Sequence, residues 1–565
     1  MVSPRHLLHL GLAFVVAVGS AHAQQGAHAS RCDSLTSRTA LAELSGREIR
    51  SVRVVPLAPT PFPGPARVLE HLHIRTREST VRRQLLIAPG DTVDTLRLAE
   101  SLRKLRGSPY LADVMATAVT CGSQPTDLTI ITRDEWSTRP SVQVRSAWSS
   151  FELTERNLFG SGREATLGIH SALGRTGVGV AVRDPWFLGG PFAVELGRYS
   201  YRDGSELVAS IARRDRSIAE PWGFEAQFDR SVRASVGRDT TALGGALGVE
   251  SFRRTNLTSL VSRRLAISAT AVLSAQAGAE YRRAELTAAV DAPLVGPGMV
   301  RRDLVALDVG VRQRSVAFDT ITWLLPGNAL VDVPRSLEAD ALIGSGYDRA
   351  SRAPVTHVDL WVGKMFVPAS RSLFTADLWT SGYRSPSEWS GGSLRGSLAY
   401  FRQAPGGLWS ARLAAERLFD PDPDVKVLAT ADPASPAFSE RGRFAEGAAS
   451  LSIERSVRLA GLSRSWALDG ASFGAWSTRW DAANRRVLTA AGRAAIAPEI
   501  EGPGEYLSAG VLGFGLRLSP KKAGRAMARL DFGYPLVRIG DIPRRPFVAI
   551  GISPWLAQGR RRDAR

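Results

Sequence analysis

The chain has 565 residues, with 13 Trp and 20 Phe but only 2 Cys. This is enough apolar material for a large core or barrel, and it argues against a small disulfide scaffold. The formal net charge of +18 would suggest nucleic-acid binding in a cytosolic chain, but the arginines are scattered rather than gathered in one patch, and the N-terminus points away from the cytosol.

Arg5 and His6 open a positively charged start, Leu7 to Val18 form an apolar run, and Ala21-His22-Ala23 is a small-x-small cleavage site. Together they read as a secretory signal peptide over 1–23, followed by a leader segment, 24–44. Arg31 before Cys32 does not suit lipoprotein processing. No later apolar run reaches the roughly 18 residues needed for a membrane helix. A soluble secreted protein or a membrane β-barrel remains. In a barrel, the basic charge would line a polar lumen and loops facing anionic lipid or lipopolysaccharide, with no nucleic acid involved.

Cys32 and Cys121 flank the next region. Two readings stand: two free thiols, or a disulfide clamping that region, which is the expectation in an oxidising compartment. Such a loop closure is worth roughly 4 kcal/mol in the chain-entropy model.

Residues 45–139 read as strand, helix, helix, strand, strand. Glu48 to Val55 is the first strand. Ser79-Thr80 is expected to cap a helix running through Leu86. Ala88-Pro89-Gly90-Asp91 is a turn. Asp94 is expected to cap a second helix, with Leu98, Leu102 and Leu105 on one face and Gly107-Ser108-Pro109 as its stop. Val114 to Val119 and Leu128 to Thr132 complete the region. The run Pro89 to Asp94, then Leu98 to Leu105, then Gly107 through Val114, with Leu128 to Ile131 as last strand, resembles a POTRA (polypeptide-transport-associated) domain. The resemblance implies a periplasmic α+β module whose sheet edge can accept extended client chains.

From 140 to 555 the pattern changes to period two. Ala165, Leu167 and Ile169 alternate with Glu164, Thr166 and His170. Phe224, Ala226 and Phe228 alternate with Glu225, Gln227 and Asp229. Val358, Leu360 and Val362 alternate with His357, Asp359 and Gly363. One apolar face per strand, sustained this far, predicts an antiparallel all-β barrel; which face points inward is not set by alternation. A β-propeller is the soluble alternative, without a blade-length repeat to support it. Ser390-Gly391-Gly392-Ser393-Leu394-Arg395-Gly396 reads as a tight loop carrying one arginine.

Several stretches resemble the BamA/TamA outer-membrane assembly superfamily (bacterial surface antigen family), here with a single POTRA domain. Asn157 to Gly162 resembles its first hairpin region and Asp184-Pro185-Trp186-Phe187 its next periplasmic turn. Ala449 to Glu454 and Leu468-Asp469-Gly470 resemble strands carrying inward acids. Gly515 to Pro520 with Leu530 to Leu536 resembles the penultimate hairpin. Phe547 to Trp555, with Gly551 between, resembles the closing strand; a basic tail, 556–565, follows. The resemblance implies sixteen strands, an outer-membrane location, and insertion or translocation of unfolded client polypeptides, with accessory periplasmic proteins as further partners. It also matches Leu394-Arg395-Gly396 to a motif at the tip of a loop folded into the lumen. Asp469 first, and Glu454 second, are then the expected partners of Arg395. Ser397 departs from the aromatic residue usual after that motif. The competing readings are a two-partner-type transporter for one secreted protein and a passive pore. With 8 His, 2 Cys and no nucleophile elbow or phosphate loop, neither an enzyme, a cofactor nor a metal site is expected.

Overall fold

A computed structural model of the chain describes residues 32–35 and 44–554, apart from 62–72, 122–124, 146–147, 173–174, 202–203, 214–216, 219, 239–246, 291–299, 326–329, 387–388, 420–446, 464, 481–485, 489–493, 497–505, 522–525 and 537–545. The expected signal peptide, most of the leader, Trp555 and the basic tail lie outside the described residues.

The N-terminal region forms a four-stranded sheet and two helices. The strands are β1 (Cys32–Leu35), β2 (Ile49–Leu57), β3 (Leu111–Cys121) and β4 (Thr126–Asp134); the helices are α1 (Glu78–Arg82) and α2 (Thr95–Gly107). The sheet order is β1-β3-β4-β2. β2 runs parallel to β4, which requires the helical crossover between them, and the other pairs are antiparallel. α2 starts where the sequence places it: Asp94 Oδ1 accepts from the backbone N–H groups of Leu96 and Arg97, at 2.8 and 3.2 Å. Its Leu98, Leu102 and Leu105 are buried in one core with Val52, Val54, Val114, Leu128 and Ile130. Each leucine contributes about 1.5–3 kcal/mol by burial. α1 departs from expectation. It stops at Arg82, and the residue before it, Arg77, makes no side-chain cap. The Thr80 hydroxyl, free of capping, bonds instead to the carbonyl of Gly160 outside this domain.

The remaining strands close a barrel. In chain order they are β5 (Thr138–Arg145), β6 (Trp148–Leu158), β7 (Arg163–Ala172), β8 (Arg175–Asp184), β9 (Phe192–Tyr201), β10 (Gly204–Arg213), β11 (Trp222–Arg238), β12 (Leu247–Ile267), β13 (Ala271–Val290), β14 (Val300–Ser315), β15 (Phe318–Ile321), β16 (Val331–Pro334), β17 (Glu338–Asp348), β18 (Ala353–Phe366), β19 (Ser372–Arg384), β20 (Trp389–Ala404), β21 (Gly407–Phe419), β22 (Gly447–Gly461), β23 (Trp466–Trp480), β24 (Arg486–Leu488), β25 (Ala494–Ile496), β26 (Tyr506–Pro520), β27 (Ala526–Pro535) and β28 (Phe547–Pro554). β15–β16 and β24–β25 are separate two-stranded hairpins; the other twenty form the closed sheet, with β28 returning to β5. The expected count of sixteen is therefore corrected to twenty among the described residues. The strands from β5 to β10 are only 8 to 11 residues long, so the same length of chain makes more crossings.

The alternation is turned outward. Leu307 and Val309 are 69 % and 61 % exposed, whereas Asp308 between them is 7 % exposed. Leu167, Ile169, Val178, Val180 and Val182 are likewise exposed. Apolar outside and polar inside is the arrangement of a barrel surrounded by lipid, the inverse of a soluble sheet.

Candidate functional site

Leu394-Arg395-Gly396 does not form a loop tip. It lies within β20, in continuous register with β19 on one side and β21 on the other. Arg395 stands opposite Trp379 and Glu416. The glycines suggested a loop, but the alternation across them decides the outcome. Leu394 and Leu398 are exposed outward, while Ser393 and Phe401 are buried on the inner face. Neighbouring strands supply the hydrogen bonds that let a glycine-rich segment stay extended. Arg395 shares the inner face by parity, as a wall residue.

Glu454 on β22 and Asp469 on β23 do face inward and do take arginines, but the arginines come from nearby strands rather than from Arg395 on β20. Glu454 Oε2 accepts from Arg517 Nη2 at 3.1 Å. Arg517 also pairs with Asp531, which Arg529 holds from the other side. Asp469 pairs with Arg458 and accepts from Ser519 Oγ at 2.9 Å. Arg517 is 1 % exposed, the largest fully buried side chain described. A Cβ at Gly515 would overlap both Asp531 Oδ1 and an Arg517 nitrogen, so glycine there makes room for the pair. Arg517 falls within the Gly515 to Pro520 stretch without standing out in it. The available signal was its place opposite two acid-bearing strands.

The inserted element is the connection between β14 and β17. Its hairpin, β15–β16, buries Ile321, Leu324 and Val333 against Leu373 and Phe401, with Trp323, Val331, Met365 and Ala399 packed around them. Leu373 and Phe401 are cross-strand partners on the inner faces of β19 and β20, so the hairpin fills part of the barrel mouth from within. Nothing in the sequence pattern marked it, because its apolar residues are few and irregular.

The N-terminal domain lies across the same mouth. Arg106, at the end of α2, makes a two-pronged contact with Asp332 on β16, Nε to Oδ2 at 3.0 Å and Nη2 to Oδ1 at 2.9 Å. Arg103 lies over the Phe318 ring, 4.1 Å from its centroid. Burial pushes the Arg103 guanidinium below its ordinary pKa, with Glu100 and Asp332 opposing. Glu100 accepts from Ser217 Oγ at 2.9 Å and from the Ile218 N–H at 2.6 Å, in the β10–β11 connection. Trp466 at the start of β23 donates to the Pro61 carbonyl at 2.7 Å.

The β6–β7 turn is the most built of these seats. Gly160 O accepts from Arg77 N–H and Thr80 Oγ1, both at 2.9 Å. Asn157 donates to Thr76 Oγ1 at 2.9 Å and accepts from Gly162 N–H at 2.9 Å. Phe159, Gly160 and Gly162 all have positive φ, and a Cβ at Gly162 would sit 2.8 Å from the Tyr110 ring. The run Asn157 to Gly162 is thus a dock for the domain. Asp184-Pro185-Trp186-Phe187 forms the β8–β9 turn at the same end, with Asp184 bound by Arg163 Nε at 2.8 Å.

The barrel closes where β28 meets β5. These are its two shortest strands, 8 residues each. Phe547 and Gly551 lie in β28 opposite Gly533 and Arg529 of β27. Cys32 and Cys121 are direct Cα partners in the β1–β3 ladder, a separation of about 4.5–5.5 Å in antiparallel pairs and within disulfide range.

No protein-family model matches the chain. A curated protein of Treponema pallidum (strain Nichols), provisionally described as an outer membrane protein assembly factor, is 25 % identical over 211 residues, covering 33 % of this chain. The chain spans about a quarter of the length of that relative. Among solved structures, CdiB from Escherichia coli aligns at 11 % identity with a TM-score of 0.42, over 92 % of this chain and 80 % of its own. CdiB from Acinetobacter baumannii aligns at 13 % identity with a TM-score of 0.37, over 92 % and 77 %. BamA from Haemophilus ducreyi, lacking POTRA domains 1–3, aligns at 12 % identity with a TM-score of 0.30, over 90 % and 85 %. The chain is similar to outer-membrane assembly factors, as its motifs suggest.

Proposed function

We propose that this chain is an outer-membrane barrel that inserts or translocates other polypeptides, and that the structure is its closed state. The observation that carries the reading is the doubly blocked mouth: a hairpin seated inside the barrel and a folded domain tied across it. A constitutive pore has no use for a blocking domain fastened to turns spread around the rim. The domain acts as a POTRA module in the periplasm. Among the described residues, β1 pairs with β3 only over Ala118–Cys121, so the edge of β3 before Ala118 can take an extended client strand. The seam between the two shortest strands is the place where the wall parts most cheaply, since each broken pair loses fewer ladder bonds there. Arg517 with Glu454 and Asp531 stiffens the wall beside that seam. No nucleotide or covalent step is required.

The test compares outer-membrane and secreted proteins with and without the chain in its source organism. Loss of a set of barrel proteins is expected for an assembly factor; loss of one secreted protein points to a dedicated transporter. Unchanged protein profiles together with measurable conductance would leave a passive pore and sink the proposal.

A further inference from the structure

A second buried cluster lies in the barrel wall, away from the mouth. Gly278 on β13, Asp308 on β14, Gly344 on β17, His357 on β18 and Tyr383 on β19 are successive cross-strand partners, one row across five strands. Glu280 stands one inward position along β13, opposite Ala306, with Gly346 next in that row. Asp308, Glu280, His357 and Tyr383 are 7 %, 6 %, 9 % and 2 % exposed. The glycines make the meeting possible. A Cβ at Gly344 would overlap Asp308 Oδ1, and one at Gly346 would lie 2.8 Å from the Ala306 Cβ. With β17 bare, side chains from β14 and β18 reach each other over it.

The meeting point is one imidazole nitrogen facing two carboxylates. His357 Nδ1 lies 2.9 Å from Asp308 Oδ1 and 3.7 Å from Glu280 Oε2. The three donor atoms all fall within 4.8 Å of one another. One N–H serves one oxygen, and Glu280 Oε2, although buried, receives no hydrogen bond from any described protein group. That is costly for a carboxylate oxygen unless a cation takes its place in the arrangement. A tetrahedral ion about 2.0–2.2 Å from each donor needs donor separations of roughly 3.3–3.6 Å, a value bracketed by the 2.9 and 3.7 Å that separate the imidazole nitrogen from the two carboxylates. The supporting shell is in place as well. Tyr383 donates to Glu280 Oε1 at 2.8 Å, and its ring stacks on the imidazole at 4.8 Å.

We propose that Glu280, Asp308 and His357 bind a divalent first-row transition ion of the zinc class. One nitrogen and two carboxylates suit such an ion better than magnesium or calcium, which prefer oxygen alone. Two arginines flank the site. Arg282 pairs with Glu280 Oε1 at 3.2 Å, and Arg282 and Arg302 both lie over the Tyr383 ring, at 4.9 and 5.0 Å. Arg282 and Tyr383 both engage Oε1, which leaves Oε2 to the ion.

Counting round the ring from β5, β14 and β17 are tenth and eleventh of twenty. The site is therefore halfway round from the β28–β5 seam. An ion tying β13, β14 and β18 stiffens the back wall and concentrates opening at the seam. This role rests on the translocation reading; the binding itself does not.

The experiment uses the full chain folded in detergent micelles, stripped with EDTA and titrated with Zn²⁺ or Co²⁺. One equivalent of metal is expected by dialysis, with Co²⁺ absorption bands indicating nitrogen and oxygen ligands. Zinc is expected to raise the barrel melting temperature. His357→Gln, Glu280→Gln and Asp308→Asn should each weaken binding at least tenfold, whereas His73→Gln in the N-terminal domain should not. Substoichiometric metal in the wild type, or undiminished binding in all three variants, overturns the proposal. If a variant fails to fold, the zinc-dependent melting shift of the wild type decides. No client polypeptide is involved, so a negative result leaves the translocation reading untouched.

Discussion

The contact between Arg106 and Asp332 offers the sharpest test of the closed state. It joins the end of α2 to the hairpin inside the barrel through two parallel charge-assisted bonds, at 3.0 and 2.9 Å. The side chains are 5 % and 11 % exposed. Removing one partner of a buried pair costs about 3–5 kcal/mol because the other charge is stranded. Here Asp332 keeps the Thr320 hydroxyl at 3.1 Å, so Arg106→Ala is expected to cost about 2–3 kcal/mol of docking. That corresponds to a roughly 30- to 150-fold shift from docked toward undocked. Arg106→Lys should recover only part of it, since an ammonium cannot make the fork. Planar-bilayer recording of the purified chain should show a raised open probability, with the barrel melting temperature unchanged because the hairpin's apolar seat is intact. A double-mutant cycle with Asp332→Asn should show strong coupling between the two positions. Unchanged gating in Arg106→Ala, or strictly additive effects in the cycle, would refute the latch.

Arg517→Met should destabilise the barrel by about 3–5 kcal/mol, since it leaves Glu454 and Asp531 facing each other without their shared cation; a heat-modifiability assay on gels should show a lowered melting temperature. Arg395→Ala and Asp469→Ala should be additive in the same assay, because each sits in a separate set of contacts. Thiol alkylation of the denatured, unreduced protein should label neither Cys32 nor Cys121; two labelled thiols would exclude the disulfide. Met115→Pro or Thr117→Pro on β3 should impair delivery of client polypeptides while barrel melting is kept. Loss of barrel melting would show that the domain's role is structural.

Local chemistry was readable in the sequence. Asp94 capped its helix, Leu98, Leu102 and Leu105 entered the core, and the period-two runs became strands, because each depends on residues within a few positions of one another. The stretches at Asn157 and Asp184 fell in turns, as the family resemblance implied. The resemblance to the assembly superfamily, rather than alternation, implied that Glu454 and Asp469 face inward and meet an arginine. It named Arg395, whereas the structure supplies Arg517 and Arg458. Leu394-Arg395-Gly396 looked like a loop because glycine composition is local, whereas the hydrogen bonds that hold it extended come from β19 and β21. The partner of Glu454 is set by sheet register, which brings Arg517 within 3.1 Å across 63 residues of chain. The same is true of the hairpin Phe318–Pro334, whose few apolar residues gain meaning only against Leu373 and Phe401. His357 was visible as an alternating polar residue; that it meets Asp308 depends on Gly344 standing between them in the closed sheet. Alternation specifies two faces for each strand. Closure of the barrel decides which face is inside, and only then which charges share it.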